Sequence, residues 1–222
     1  MCNVAGVVFA AKSLHPDEIR GRRVLEVGSQ DVNGGLRPIL EAWHPAEYLG
    51  VDVAPGPGVD MVCPAEALVT TFGEARFDVV VSTEVIEHVE DWRQVLSNMK
   101  RVLAPDGLIL LTTRSPGYPY HAFPHDFWRY DQADMRAIFE DFEVLALEDD
   151  PSRPGVFLKA RKPADWVETD LSAHALHSIV TGTRVLALQP GDFRTLRHAR
   201  SVALDRLKGW VTGVGQRVLH GR

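Results

Sequence analysis

The sequence predicts a doubly wound α/β domain followed by a helical C-terminal extension. Three observations predict it. Short runs of aliphatic and β-branched residues alternate with helix-length stretches from about residue 20 onward. Those runs are apolar nearly throughout, not alternating, as in parallel strands covered on both faces. The last two runs are joined by a link too short for a crossover helix, so they must pair antiparallel.

The elements follow in order. The apolar stretch from Met1 to Lys12 lacks a basic flank, so an N-terminal helix within residues 1–20 is expected, not a secretory leader. Val24–Gly28 reads as the first strand, ending at a glycine. Leu36–Trp43 reads as a helix stopped by Pro45. Tyr48–Asp52 is the second strand, closed by the breaker run Pro55–Gly58. Val59–Val62 is a short third strand, and Pro64–Phe72 a helix with proline in its first turn. Phe77–Thr83 is the strongest strand. Asp91-Trp-Arg-Gln94 supplies a capping pattern for a helix whose apolar positions are Val95, Met99, Val102 and Leu103. Pro105-Asp-Gly107 turns the chain into Leu108–Thr113. A helix from Asp131 to about Phe139 precedes the hairpin Phe142–Leu147 and Gly155–Ala160. The boundaries are therefore 1–162 for the sheet domain and 163–222 for the extension. No strong strand signal follows Ala164, and Leu196, Ala199, Ala203, Leu207, Trp210, Val214 and Val218 form one helical stripe.

Composition narrows the classes. The 222 residues are 45% hydrophobic and 24% charged, ordinary for a globular domain. Two cysteines, Cys2 and Cys63, point to a reducing, cytoplasmic compartment without a disulfide framework. No run is long enough to span a bilayer. The net charge of −6 divides into +6 from Arg184 to Arg222 and −12 over the remainder. The acidic body argues against duplex nucleic acid as a partner. The basic stripe carrying Arg194, Arg197, Arg200, Arg206 and Lys208 has two readings. One is docking on the chain's own acidic body or on a second subunit in a homodimer. The other is contact with an anionic membrane surface, which is less favoured because the body already offers the opposite charge.

In such a sheet, ligands sit at the carboxyl ends of the strands where strand order reverses. Gly28 lets a ligand approach the backbone of the first loop, and Asp52 closes the second strand, where a carboxylate accepts both ribose hydroxyls. These two features alone suit NAD as well as other adenosyl ligands. The segments Val24–Gly28, Tyr48–Asp52, Phe77–His88 and Arg101–Leu110, with the terminal hairpin, resemble class I S-adenosylmethionine (SAM)-dependent methyltransferases. The resemblance is to the small-molecule and glycan-acting, type 11-like branch, and it covers about residues 20–162. It implies a Rossmann-like seven-stranded sheet, SAM as cofactor, and a methyl acceptor that is a small molecule or glycan. Carried over, Glu26 and Gly28 shape the methionine end of the pocket. Asp52 holds the ribose, Val53 packs beside adenine, Ala65 and Glu66 form its edge, and Thr83 and Glu84 end the fourth strand near the methyl donor. The first loop departs from the family pattern: Gln30 stands where a second glycine is usual, and the next glycine is Gly34.

An electrophilic sulfonium methyl asks mainly for alignment and exclusion of water, plus a base if the acceptor is an alcohol. Candidates for catalysis are His88, His125 and Asp126. His121, Trp128, Arg129 and Tyr130 are candidates for the acceptor side, where aromatic faces suit a sugar or polyol. The transfer itself does not call for a divalent metal. Glu84, Glu87 and His88, spaced to share a face of a helical turn, nonetheless form an oxygen/nitrogen set with His121 or His125. The pattern is similar to the metal site of small-RNA 2′-O-methyltransferases. Two competing readings are an NAD(P)-linked oxidoreductase, against which the hairpin counts, and a catalytically silent SAM-binding module.

Overall fold

The computed structural model describes residues 4–32, 34–122 and 124–219, with residues 208–219 described as backbone. Two helices, α1 (Val4–Ser13) and α2 (Pro16–Ile19), precede β1 (Arg23–Val27). There follow α3 (Arg37–Glu41), β2 (Glu47–Asp52), β3 (Met61–Val62), α4 (Leu68–Phe72), β4 (Phe77–Thr83), α5 (Trp92–Val102) and β5 (Leu103–Arg114). The second half runs β6 (Trp128–Arg129), α6 (Gln132–Ile138), β7 (Glu143–Asp149), β8 (Gly155–Arg161), β9 (Leu176–Ser178), β10 (Arg184–Val185) and α7 (Leu196–Leu219).

The main sheet has seven strands in the order β3-β2-β1-β4-β5-β8-β7. β1 to β5 are parallel, while β8 inserts antiparallel between β5 and β7. Both faces are covered, which is why the strands are apolar on successive residues. In β1, Leu25 and Val27 join a core with Val80, Trp92, Val95, Met99 and Ile138. Val24, just before them, faces Phe9, Leu14, Ile19, Leu36 and Phe157 on the other side. The Asp91 side chain caps α5 by accepting from Gln94 N at 3.1 Å. At α6 Asp131 and Asp134 form a reciprocal box, each carboxylate accepting the other's backbone N–H. The Pro105–Gly107 turn is an excursion inside β5: the register with β4 shifts between Phe77 and Val79, and Asp106 takes φ 61°.

The extension differs from its reading as helical throughout. Up to residue 195 it is an irregular strap, and β9 and β10 join β6 in a second, three-stranded sheet. Polar ties hold the strap down. The Arg93 guanidinium donates to the carbonyls of Leu171, His174 and Leu186, and Arg184 pairs with Asp131 and Asp134. The first turns of α7 then return to the loop after β5. There Asp205 accepts from Ala122 N at 3.3 Å, and the His198 ring lies 5.7 Å from that of Tyr120. Trp210, Val214 and Val218 of the apolar stripe, and Lys208, fall beyond the described side chains. Among the described residues no helix is long and apolar enough to cross a membrane.

Candidate active site

The carboxyl ends of β1 and β4 meet at the point where strand order reverses, and the first loop is tied there on all sides. Gly28 bends at φ 79°, and a Cβ on it would overlap the Val85 side chain. Gly28 N and Ser29 N both donate to Val51 O. Gln30, the residue in place of a glycine, uses its backbone N–H to hold Asp52 Oδ2 at 3.0 Å, and Val53 N donates to Oδ1 at 2.7 Å. Asp31 N donates to Pro57 O at 2.8 Å, and Gly34 N to Asp31 Oδ1 at 2.7 Å. Gly58, at φ 83°, must be a glycine, since a Cβ would lie 2.5 Å from Ser29 O. The departure from the usual glycine spacing is therefore absorbed by lacing this loop to the breaker run after β2.

Below the loop opens a cleft of about 760 Å³. Its wall toward β2 and β3 includes Gln30, Asp52, Val53, Cys63, Ala65 and Glu66. Its wall toward β4 and β5 includes Glu84, Val85, His88, Ala122, His125 and Phe127. Each Asp52 oxygen accepts one backbone N–H and keeps a lone pair, so the carboxylate is aimed before any ligand arrives. Size, apolar lining and a fixed carboxylate fit an adenosyl ligand. Gln30, Val85, Cys63, Ala122 and Phe127 were not expected on the cleft wall from the sequence. Their types carry no signal, and only the loop paths bring them to the cleft.

Glu26 and Thr83 lie behind the cleft wall, not on it. Glu26 is buried and accepts from the Tyr48 hydroxyl at 2.7 Å. Burial raises its pKa from 4.5 to about 7, and burial with the Glu26 charge pushes the Tyr48 phenol up. The folded state thus prefers the protonated acid. The preference stabilises the fold fully below about pH 4.5 and is lost as pH rises through 7. Relative to Glu26→Gln, which stays neutral, the unliganded protein should lose about 3 kcal/mol of stability over this interval. Urea unfolding of both proteins at pH 5 and pH 8 reads the difference.

The acceptor-side residues divide into two groups. Glu84 does not share a helical face with Glu87 and His88: it takes φ 57°, and only Ile86–His88 form a 3₁₀ turn. Its carboxylate pairs with the Arg114 guanidinium and accepts from Thr112 Oγ1 at 3.1 Å, while Arg114 also reaches Asp150. Burial and the Glu87 charge raise the Glu84 pKa, and Arg114 opposes them. Glu87, fully buried, accepts from Thr113 Oγ1 at 2.8 Å. His88 Nδ1 donates to the His125 carbonyl at 2.5 Å, and burial lowers its pKa, leaving a neutral ring. His121 stands beside it, ring centroids 4.8 Å apart, with Nδ1 on Asp126 Oδ2 at 3.0 Å.

Asp126, a candidate for catalysis, and Trp128, Arg129 and Tyr130, candidates for the acceptor side, are corrected to the interior. All four are at most 1% exposed. Arg129 makes a two-pronged pair with Asp126 and donates to the carbonyls of Tyr118, Pro119 and Trp128. Trp128 Nε1 donates to Glu90 O, and the Tyr130 hydroxyl to Ile86 O. Burial raises the Tyr130 phenol, and the Arg129 and His121 bonds draw the Asp126 acid down to about 2. These side chains shape the loop that presents His121 and His125. His125 itself is exposed on the cleft wall, and its ring makes no hydrogen bond to a described residue.

A family model described as a methyltransferase domain matches residues 7–149. The chain is 31% identical over 112 residues to a ubiquinone biosynthesis O-methyltransferase of Idiomarina loihiensis, covering 45% of each. It is 29% identical over 168 residues to a phthiotriol/phenolphthiotriol dimycocerosates methyltransferase of Mycobacterium leprae, covering 70% of this chain and 58% of the relative. The chain thus spans about half the length of these curated relatives. Among solved structures, the fold is similar to a Burkholderia thailandensis 1,6-didemethyltoxoflavin-N1-methyltransferase with bound S-adenosylhomocysteine (TM-score 0.56, 18% identity, 72% and 76% of the two chains). It is equally similar to the [4+2]-cyclase SpnF (TM-score 0.55, 18% identity, 71% and 79%), so the fold alone does not dictate the reaction.

Proposed function

Since this chain belongs to the class I SAM-dependent methyltransferases, we propose that its cleft holds SAM and delivers the methyl group to a hydroxyl of a small acceptor, a sugar or related polyol. The observation that carries the reading is the Asp52 carboxylate, held by two backbone amides at the lip of a cleft of adenosyl size. Bound SAM supplies an electrophilic methyl that needs no further activation. This chain's residues then align the acceptor and receive its proton. His125 is the imidazole placed for the proton: it lies on the cleft wall with its ring uncommitted. His88 acts as a neutral wall, its Nδ1 engaged by the His125 backbone. Family membership sets aside the oxidoreductase reading.

The test is transfer of label from methyl-labelled SAM to a panel of sugars and polyols, with S-adenosylhomocysteine binding followed by calorimetry. The expected result is alkali-stable labelled ether, and a kcat at least about 100-fold lower in His125→Asn with unchanged S-adenosylhomocysteine affinity. Binding without transfer to any acceptor would leave the silent-module reading in its place.

A further inference from the structure

The mechanism uses neither the second carboxylate oxygen of Glu87 nor the imidazoles facing it. Glu87 Oε1 is buried and has no hydrogen-bond partner, although Oε2 is satisfied by Thr113. No Lys or Arg pairs with Glu87 among the described residues. What faces Oε1 is His88 Nε2 at 3.9 Å and His121 Nε2 at 3.8 Å. A buried carboxylate oxygen left this way is costly unless something positive completes it.

The two rings are prepared in the same sense. The Nδ1 of His88 donates to a backbone carbonyl and that of His121 to the Asp126 carboxylate, so each Nε2 turns its lone pair toward Glu87. A second hydrogen bond from the far nitrogen is the usual orienting device of a metal-bound histidine. Asp126 is itself locked by Arg129, so the His121 ring is held through two successive contacts. The three inward atoms lie within 4.8 Å of one another. Bond lengths of about 2.1 Å ask for ligand atoms about 3 Å apart, so the three side chains close on the ion by roughly 1–2 Å.

We propose that Glu87 Oε1, His88 Nε2 and His121 Nε2 bind one divalent transition-metal ion at the acceptor end of the cleft. Two imidazoles with one carboxylate suit Zn²⁺, Mn²⁺, Fe²⁺ or Co²⁺, whereas Mg²⁺ and Ca²⁺ prefer all-oxygen sets. Three protein ligands leave coordination positions open, and His88 belongs to the cleft wall, so an acceptor oxygen has a place on the ion. The set is the one expected from the sequence without Glu84, and with His121 as the second imidazole. Glu84 is withdrawn by Arg114, His125 contributes its backbone in place of its ring, and His121 completes the site. The binding of the ion does not depend on the methyl-transfer reading; only its use on an acceptor does.

Metal-stripped full-length chain is titrated with Zn²⁺ and Mn²⁺ by calorimetry, and with Co²⁺ by visible absorption. One ion per chain is expected, with a Co²⁺ band that shifts when an imidazole is lost. Affinity should fall at least tenfold in Glu87→Gln and in His121→Asn. Both replacements keep a partner for Thr113 or Asp126, and melting without metal verifies that they fold. Should either fail to fold, His88→Ala, on the cleft wall, takes its place. Absence of stoichiometric binding, or binding unchanged in the variants, overturns the site. S-adenosylhomocysteine is titrated in parallel: a chain that takes Co²⁺ but not this ligand keeps the metal site and loses the methyl-transfer reading.

Discussion

Asp52→Ala should weaken S-adenosylhomocysteine binding by a hundredfold or more, while leaving the melting temperature of the unliganded protein nearly unchanged. Two hydrogen bonds from ribose hydroxyls to an ionised carboxylate contribute together about 3 kcal/mol or more. Asp52 is half-buried, so its loss opens no core cavity, and neither Gln30 nor Val53, whose amides are freed, is a buried residue. Asp52→Asn keeps the shape but loses the charge and one acceptor, and should fall between the two. Calorimetric titration of the three proteins decides the matter. An unchanged affinity in Asp52→Ala would remove the contact on which the cofactor reading stands.

Arg129→Leu should act through the fold and not through the acceptor. The guanidinium is wholly buried and satisfies both oxygens of Asp126 and three backbone carbonyls. Its removal leaves a carboxylate inside the protein with only His121 as side-chain partner. Breaking a buried pair on one side costs about 3–5 kcal/mol. In a chain of this length that lowers the melting temperature by roughly 10 °C or more. S-adenosylhomocysteine affinity should persist at temperatures where the variant is folded. A variant that melts like the parent but shows a raised KM for the acceptor would return Arg129 to substrate binding. Arg129→Leu combined with Asp126→Asn should cost less than Arg129→Leu alone, because no unpaired charge remains.

Much of the frame was legible in the sequence. The strands were readable because burial on two faces demands unbroken apolar runs, and the short link after residue 147 permits only a hairpin. Gly28 and Asp52 were legible because strand ends at a reversal of order leave few places for a nucleotide. The strands β9 and β10 were not. Runs of two or three residues have no periodicity, and they exist because β6 supplies a partner. Nor could the sequence tell Arg129 from His125 as cleft-facing: both are polar residues in one aromatic-rich loop, and only the path of that loop sends one inward and the other outward.

By itself, then, the sequence determined the alternation of strands and helices, the closing hairpin, and the position of a nucleotide-shaped cleft. These are properties of local apolar pattern and chain connectivity. Tertiary structure alone decided which titratable side chains meet there. It paired Glu84 with Arg114, locked Asp126 with Arg129, and turned His121 toward Glu87. The physical reason is that a polar side chain's role depends on which partner satisfies it once water has been removed, and those partners come from segments far apart in the chain.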